Sequence, residues 1–241
     1  MIENHQILVL SSLKFSEDKL IVNALSRSAG RVTLMVNISH SQRASVHFTL
    51  FQPLALLDVS WEVTPRTKMF KPKTARPSVQ LHSLQSDPVK STIVMFLAEF
   101  LLNATRIESD GGLLFDYISA AIQWLDEAEK DFANFHIVFL LRLSQFLGIQ
   151  PNLEDDSDEP YFDLQGAEYV GRRPDHTYYI SGEDLKALRQ LVRMNFGTMH
   201  LFQLSGNQRN RILHFILTYY RLHLPNFPEL KSLAILQAIF R

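Results

Sequence analysis

The chain has 241 residues, 46% hydrophobic and 20% charged, with a formal net charge of −1. That balance excludes wholesale disorder and leaves room for one large or two small domains. Cysteine is absent, which excludes disulfides, thiolate nucleophiles and cysteine-ligated zinc together and fits a reducing cytoplasm.

In chain order, residues 6–13 read as a short β-like stretch. Residues 20–25 and 32–36 are two strands joined by the turn Ser28-Ala29-Gly30. Val32, Leu34 and Val36 alternate with Arg31, Thr33 and Met35, the period-2 pattern of a half-buried strand, and Gly30 suits a positive φ in the connection. After a polar loop at 37–45 comes a long β-rich run, 46–63. A loop at 64–77 follows, with Arg66, Lys68, Lys71, Lys73 and Arg76 among three prolines, and 79–84 is the expected closing strand. Five short strands in about 85 residues predict a small closed or partly closed β-barrel, for which the OB-fold is the commonest size match.

At Asp87-Pro88 the periodicity changes to helical, with an N-cap followed by proline at the first helical position. The spacing predicts helices over 88–110, 113–129 and 132–147, the last stopped by Gly148 and Pro151. An acidic run, 154–159, reads as a solvated loop; it lacks the alternating ligands and sixth-position glycine of a calcium loop. Two short β-like pieces flank Gly171-Arg172-Arg173-Pro174, and helices are expected at 182–195, 207–223 and 228–240. The predicted class is two-domain α+β: a small OB-like barrel at 1–86, then an all-helical domain at 87–241 with an irregular β-like insertion at 152–181.

Charge divides in the same place. Residues 1–86 hold ten Lys/Arg and five Asp/Glu, and the remainder fourteen against twenty. A basic barrel points to polyanions. No phosphate-binding loop, dinucleotide fingerprint or nucleophile elbow occurs, and nine histidines include no pair at H-E-x-x-H or H-x-x-x-H spacing. No catalytic residue, metal site or cofactor is therefore expected. The longest apolar run, 93–102, is interrupted by Glu99 and falls short of the ~20 residues of a membrane span. The first residues lack the basic n-region and cleavage site of a signal peptide, so a soluble cytoplasmic protein is expected.

What remains is binding. The candidate phosphate contacts are Lys14, Lys19, Arg27, Arg31, Arg43, Lys68, Lys71, Lys73 and Arg76. Phe15 and Phe70 lie in expected loops and are the candidates for base stacking, while Phe48 and Phe51 fall in strands and read as core. The alternative is a protein-interaction adaptor using the helical domain alone; a hydrolase built from scattered His and Asp would need a metal.

The segments Lys14-Phe15-Ser16-Glu17-Asp18-Lys19-Leu20, Gly30-Arg31-Val32 and Phe51-Gln52-Pro53-Leu54 stand in the order of the RecO N-terminal barrel. Lys90-Ser91-Thr92, Leu114-Phe115-Asp116-Tyr117, Phe146-Leu147-Gly148-Ile149-Gln150-Pro151 and Tyr219-Tyr220-Arg221-Leu222-His223-Leu224-Pro225 continue it. In this order and combination the chain resembles RecO, a bacterial recombination-mediator family, and most closely its Bacteroidetes branch. The resemblance implies an OB-fold, a helical domain and a role in recombinational repair. It also implies binding to single- and double-stranded DNA, strand annealing, and loading of RecA, together with RecR, onto DNA coated by single-strand binding protein, whose C-terminal tail RecO contacts. These activities need no catalytic cofactor and place the protein in the cytoplasm at the nucleoid. The chain departs from the family twice: residues 152–181 replace its four-cysteine zinc module, and the loop at 37–45 carries Arg43 as its one Lys or Arg.

Overall fold

The computed structural model describes residues 1–38, 46–63, 69–106, 112–153 and 158–240. Its strands begin with β1 (Ile2–Ser16), β2 (Lys19–Ser26), β3 (Gly30–Asn37), β4 (Leu56–Glu62) and β5 (Pro72–Pro77). They form one antiparallel sheet in the order β3-β2-β1-β4-β5. β1 pairs along both edges, 2–8 with β4 and 7–16 with β2, and register shifts after Val9 and Lys14 bend it on the β2 side. The β2–β3 turn forms as its sequence requires, with Gly30 at φ +62°.

The sheet is open, not a closed barrel. Among the described residues its edges approach at one parallel bridge, Leu34 with Phe70, where Met35 N donates to Phe70 O at 2.8 Å and Phe70 N to Thr33 O at 2.9 Å. The concave side holds Ile7, Val9, Val22, Ala24, Leu34, Phe51, Val59 and Trp61, all buried. Residues 79–84 do not form the closing strand; β5 occupies that place, inside the stretch expected to be a loop. The amides of His82, Ser83 and Leu84 donate instead to the Asp126 carboxylate at 2.9, 2.7 and 3.1 Å, so no ladder needs them.

Helix α1 (Pro88–Ala104) starts at an Asp87 cap that accepts from the amides of Val89 and Lys90 at 2.8 and 3.1 Å. With α2 (Gly112–Glu127) it belongs to the sheet's own compact unit, Met1–Asp126. The change from strand to helix near residue 87 therefore lies inside that unit. The Asp126 carboxylate and the buried Lys90, whose Nζ donates to Ser83 Oγ at 2.6 Å and to Asp126 O at 2.9 Å, tie the linking segment to the helices.

The second compact unit is Glu127–Arg241. It contains α3 (Phe135–Phe146), α4 (Gly182–Val192), α5 (Gly206–His223) and α6 (Leu233–Ile239). It is not all-helical. β6 (Tyr161–Asp163), β7 (Glu168–Val170) and β8 (Tyr179–Ser181) make an ordered antiparallel sheet, β7-β6-β8, in place of the irregular insertion. Phe162, Leu164 and Ile180 are buried, and the Arg189 guanidinium lies over the Tyr169 ring at 4.5 Å while donating to Glu159 O at 2.9 Å. Tyr219 and Tyr220 are core residues, donating to Ile149 O and Leu140 O at 2.8 Å each. A capping box between Ser205 and Gln208 opens α5.

Candidate nucleic-acid interface

Directly paired residues share a face of a sheet, so the register sorts the outer surface of β1–β3 into rows. Nearest the helices lie Leu8, Leu10, Leu25 and Leu56, all buried. Next comes a polar row, Ser11–Asn23–Thr33, in which Asn23 Nδ2 donates to Ser11 Oγ at 3.0 Å and Thr33 Oγ1 to Asn23 Oδ1 at 3.2 Å. Beyond it is an apolar row, Leu13–Ile21–Met35, and then Ser16–Lys19–Asn37. Leu13 is 62% exposed, and Phe15, the extra residue at the second bulge of β1, is 63% exposed. The bridge at Phe70 sets Lys71 beside Met35 on the same outer side. Among the described residues, the part of this face left open is thus an apolar strip with an exposed aromatic ring, bordered by Lys19 and Lys71.

The expected cations do not converge. Lys14 is paired with Leu20, on the opposite side of the sheet from Lys19, and both are at the Ser16–Lys19 end of the hairpin. Arg27 lies at the other end of the eight-residue β2, roughly 26 Å away at ~3.3 Å per residue. Its guanidinium forms a bidentate pair with Asp116 at 2.8 and 3.0 Å, which holds the Asp116 carboxyl below the usual carboxylate range.

Arg31 is turned inward. Its Nη1 donates to Leu102 O and Thr105 Oγ1, both at 3.1 Å, closing the C-terminus of α1. Burial, with Arg106 nearby, lowers its pKa to about 10, so it stays charged at neutral pH. Arg76 is exposed and 3.4 Å from Asp58, and Lys73 is exposed beside it on β5. Arg43 and Lys68 lie outside the described residues. Phe70 stacks on the buried Trp61 with centroids 5.1 Å apart and packs against the core, so its ring is engaged in packing.

Reading the sequence alone passed over Leu13, Ile21 and Met35. The signal was present in part: counting back from the Ser28–Gly30 turn pairs Ile21 with Met35, while Leu13 comes opposite Ile21 only once the extra residue Phe15 is allowed for across the Glu17–Asp18 turn. Among the described residues no group of three or more His, Asp or Glu is placed to hold a metal, and no helix is long and apolar enough to cross a membrane.

The geometry defines a class: a small OB-like sheet with an open apolar outer face and a helical unit after it. Sequence comparison gives the family. A profile described as recombination protein O N terminal matches residues 1–77, and one described as recombination protein O C terminal matches residues 85–234. A protein of Bacteroides fragilis named DNA repair protein RecO is 44% identical over 234 residues, 97% of either chain. Proteins of the same name from Phocaeicola vulgatus and Azobacteroides pseudotrichonymphae are 42% identical over 97% of both chains and 36% identical over 100% of both. The chain belongs to the RecO family, and that membership supports a role in DNA repair and recombination.

Proposed function

We propose that this protein is a non-enzymatic recombination mediator that holds single-stranded DNA on the outer face of β1–β3. The observation that carries this reading is the strip of exposed Leu13 and Phe15 with half-buried Ile21 and Met35, between Lys19 and Lys71. Bases stack on Phe15 and pack against the aliphatic side chains of such a strip whatever their sequence, while the flanking ammonium groups, with Lys14 at the rim, neutralise phosphates and release counterions. A strand held by its phosphates with reduced charge meets a complementary strand with less repulsion, which is the physical basis of annealing.

Consistent with the family, the same role includes binding double-stranded DNA. With RecR it includes helping RecA onto DNA coated by single-strand binding protein, whose tail docks on the helical unit, in the cytoplasm at the nucleoid. The test is titration of a labelled oligonucleotide at several salt concentrations. Affinity of about micromolar or tighter at low salt, falling steeply as salt rises, is expected. No binding at low salt removes the DNA reading and favours an adaptor working through the helical unit alone.

A further inference from the structure

The outer face of the sheet has a second open end. On β1, β4 and β5 the register aligns Asn4–Ser60–Thr74 and Gln6–Asp58–Arg76 in adjacent rows. Asn4, Gln6, Thr74 and Arg76 are exposed. Over them run two clefts that share residues 4–6. One, about 490 Å³, extends to Asp58, Thr74 and Arg76; the other, about 460 Å³, extends to Arg27 and Ser28. Arg27 is joined to this surface by its amide, which donates to Gln6 O at 3.0 Å. The buried leucines 8, 10, 25 and 56 separate these rows from the apolar strip.

The two ends differ in chemistry. Among the described residues the one ring lining both clefts, His5, is stacked on Trp61 with centroids 3.8 Å apart and its side chain is 8% accessible, so bases would find no open stacking platform here. Amides, a hydroxyl and two guanidinium groups are instead the side chains that contact phosphate and sugar oxygens. We infer that the clefts over Asn4 and Gln6 form a second nucleic-acid site, which holds the sugar–phosphate backbone of another strand while the apolar strip holds the first. This rests on the DNA-binding reading above and extends it, since one protomer would then present both partners of an annealing reaction.

Asp116 and Asp58 already occupy Arg27 and Arg76. Both arginines are accessible, 52% and 79% for their side chains; the single 3.4 Å contact of Arg76 with Asp58 is weak enough for a phosphate to replace the carboxylate, whereas the bidentate Arg27–Asp116 pair holds more firmly. The site is therefore self-masked, which gives an unusual expectation: removing a carboxylate strengthens it.

The experiment uses two non-complementary oligonucleotides, one with a donor and one with an acceptor fluorophore, with the full-length protein at low salt. Complexes are sized by sedimentation so that energy transfer is read from single protomers. Transfer is expected in the natural protein. Arg76→Glu should weaken capture of the second strand about tenfold, and Asp58→Asn should strengthen it about threefold. Affinity for the first oligonucleotide and the melting temperature should stay unchanged in both variants. First-strand binding without transfer, or transfer indifferent to both substitutions, overturns the second site while leaving the function proposed above intact; absence of any first-strand binding overturns both.

Discussion

Arg31 shows how a residue's sequence context can be right about its element and misleading about its role. A cation just after a hairpin turn reads as a surface charge, yet its guanidinium closes α1 through Leu102 O and Thr105 Oγ1. Arg31→Ala should therefore destabilise the sheet unit by about 1–2 kcal/mol and leave the salt dependence of oligonucleotide binding unchanged, as melting and titration would show together. Nothing local in the sequence names a partner 71 or 74 residues away. Asp126 is a similar case. Burial raises its pKa, but the amides of His82, Ser83 and Leu84 overcome this and hold it below its ordinary value of 3.8. Its stabilisation is present above that value and is lost as pH falls through the lower folded pKa. Asp126→Ala should cost about 2–3 kcal/mol, measured by urea unfolding at neutral pH, because it takes the charged acceptor from the part-buried amides of Ser83 and Leu84 and from the exposed amide of His82. His136 sets the acid limit of the second unit: burial, reinforced by Arg209, lowers its pKa from 6.5 to about 3. The unfolded chain takes up that proton first, so stability declines as pH falls between those two values. His136→Gln should flatten the decline in unfolding experiments from neutral pH down to about pH 4; parallel curves would refute the assignment.

At the level of elements, the local signals were good where one short stretch decides the outcome. The β2–β3 hairpin with Gly30, the Asp87 cap with Pro88 and the stop at Gly148 (φ +68°) all formed as their sequences require. They failed where distant groups decide. The strand expected at 79–84 gave way to β5 because Asp126 took its amides. Of the sheet β7-β6-β8, the two β-like pieces at β6 and β8 were legible, while β7 and the pairing were not, because strands of three residues are too short to show a period. Its core is aromatic and aliphatic side chains, with no cysteine in the chain. Phe162→Ala should then destabilise the second unit by about 3–5 kcal/mol, and a chelator should leave its melting temperature unchanged. On the first unit, Phe15→Ala should leave the fold intact because the ring is 63% exposed. It should weaken single-strand binding by about 1–3 kcal/mol if a base stacks there, and a fluorescence titration would show it.

For the molecule as a whole, the division of charge was legible and its geometry was not. The sequence places a surplus of cations in residues 1–86, but register alone reveals that Lys19 and Lys71 border one end of the sheet's outer face while Arg27 and Arg76 stand at the other. Two of the nine expected contacts are tied to carboxylates, and Arg31 is enclosed. Far fewer phosphates should be neutralised than a count of cations implies. Single-strand binding on this face is read out by the salt dependence of oligonucleotide affinity. With Lys19 and Lys71 bordering the strip and Lys14 reaching from the rim, log affinity should fall against log salt with a slope of about −2, shrinking by about 0.7 for each contacting lysine replaced by alanine. A slope near zero, or one unmoved by Lys19→Ala and Lys71→Ala, would contradict the account.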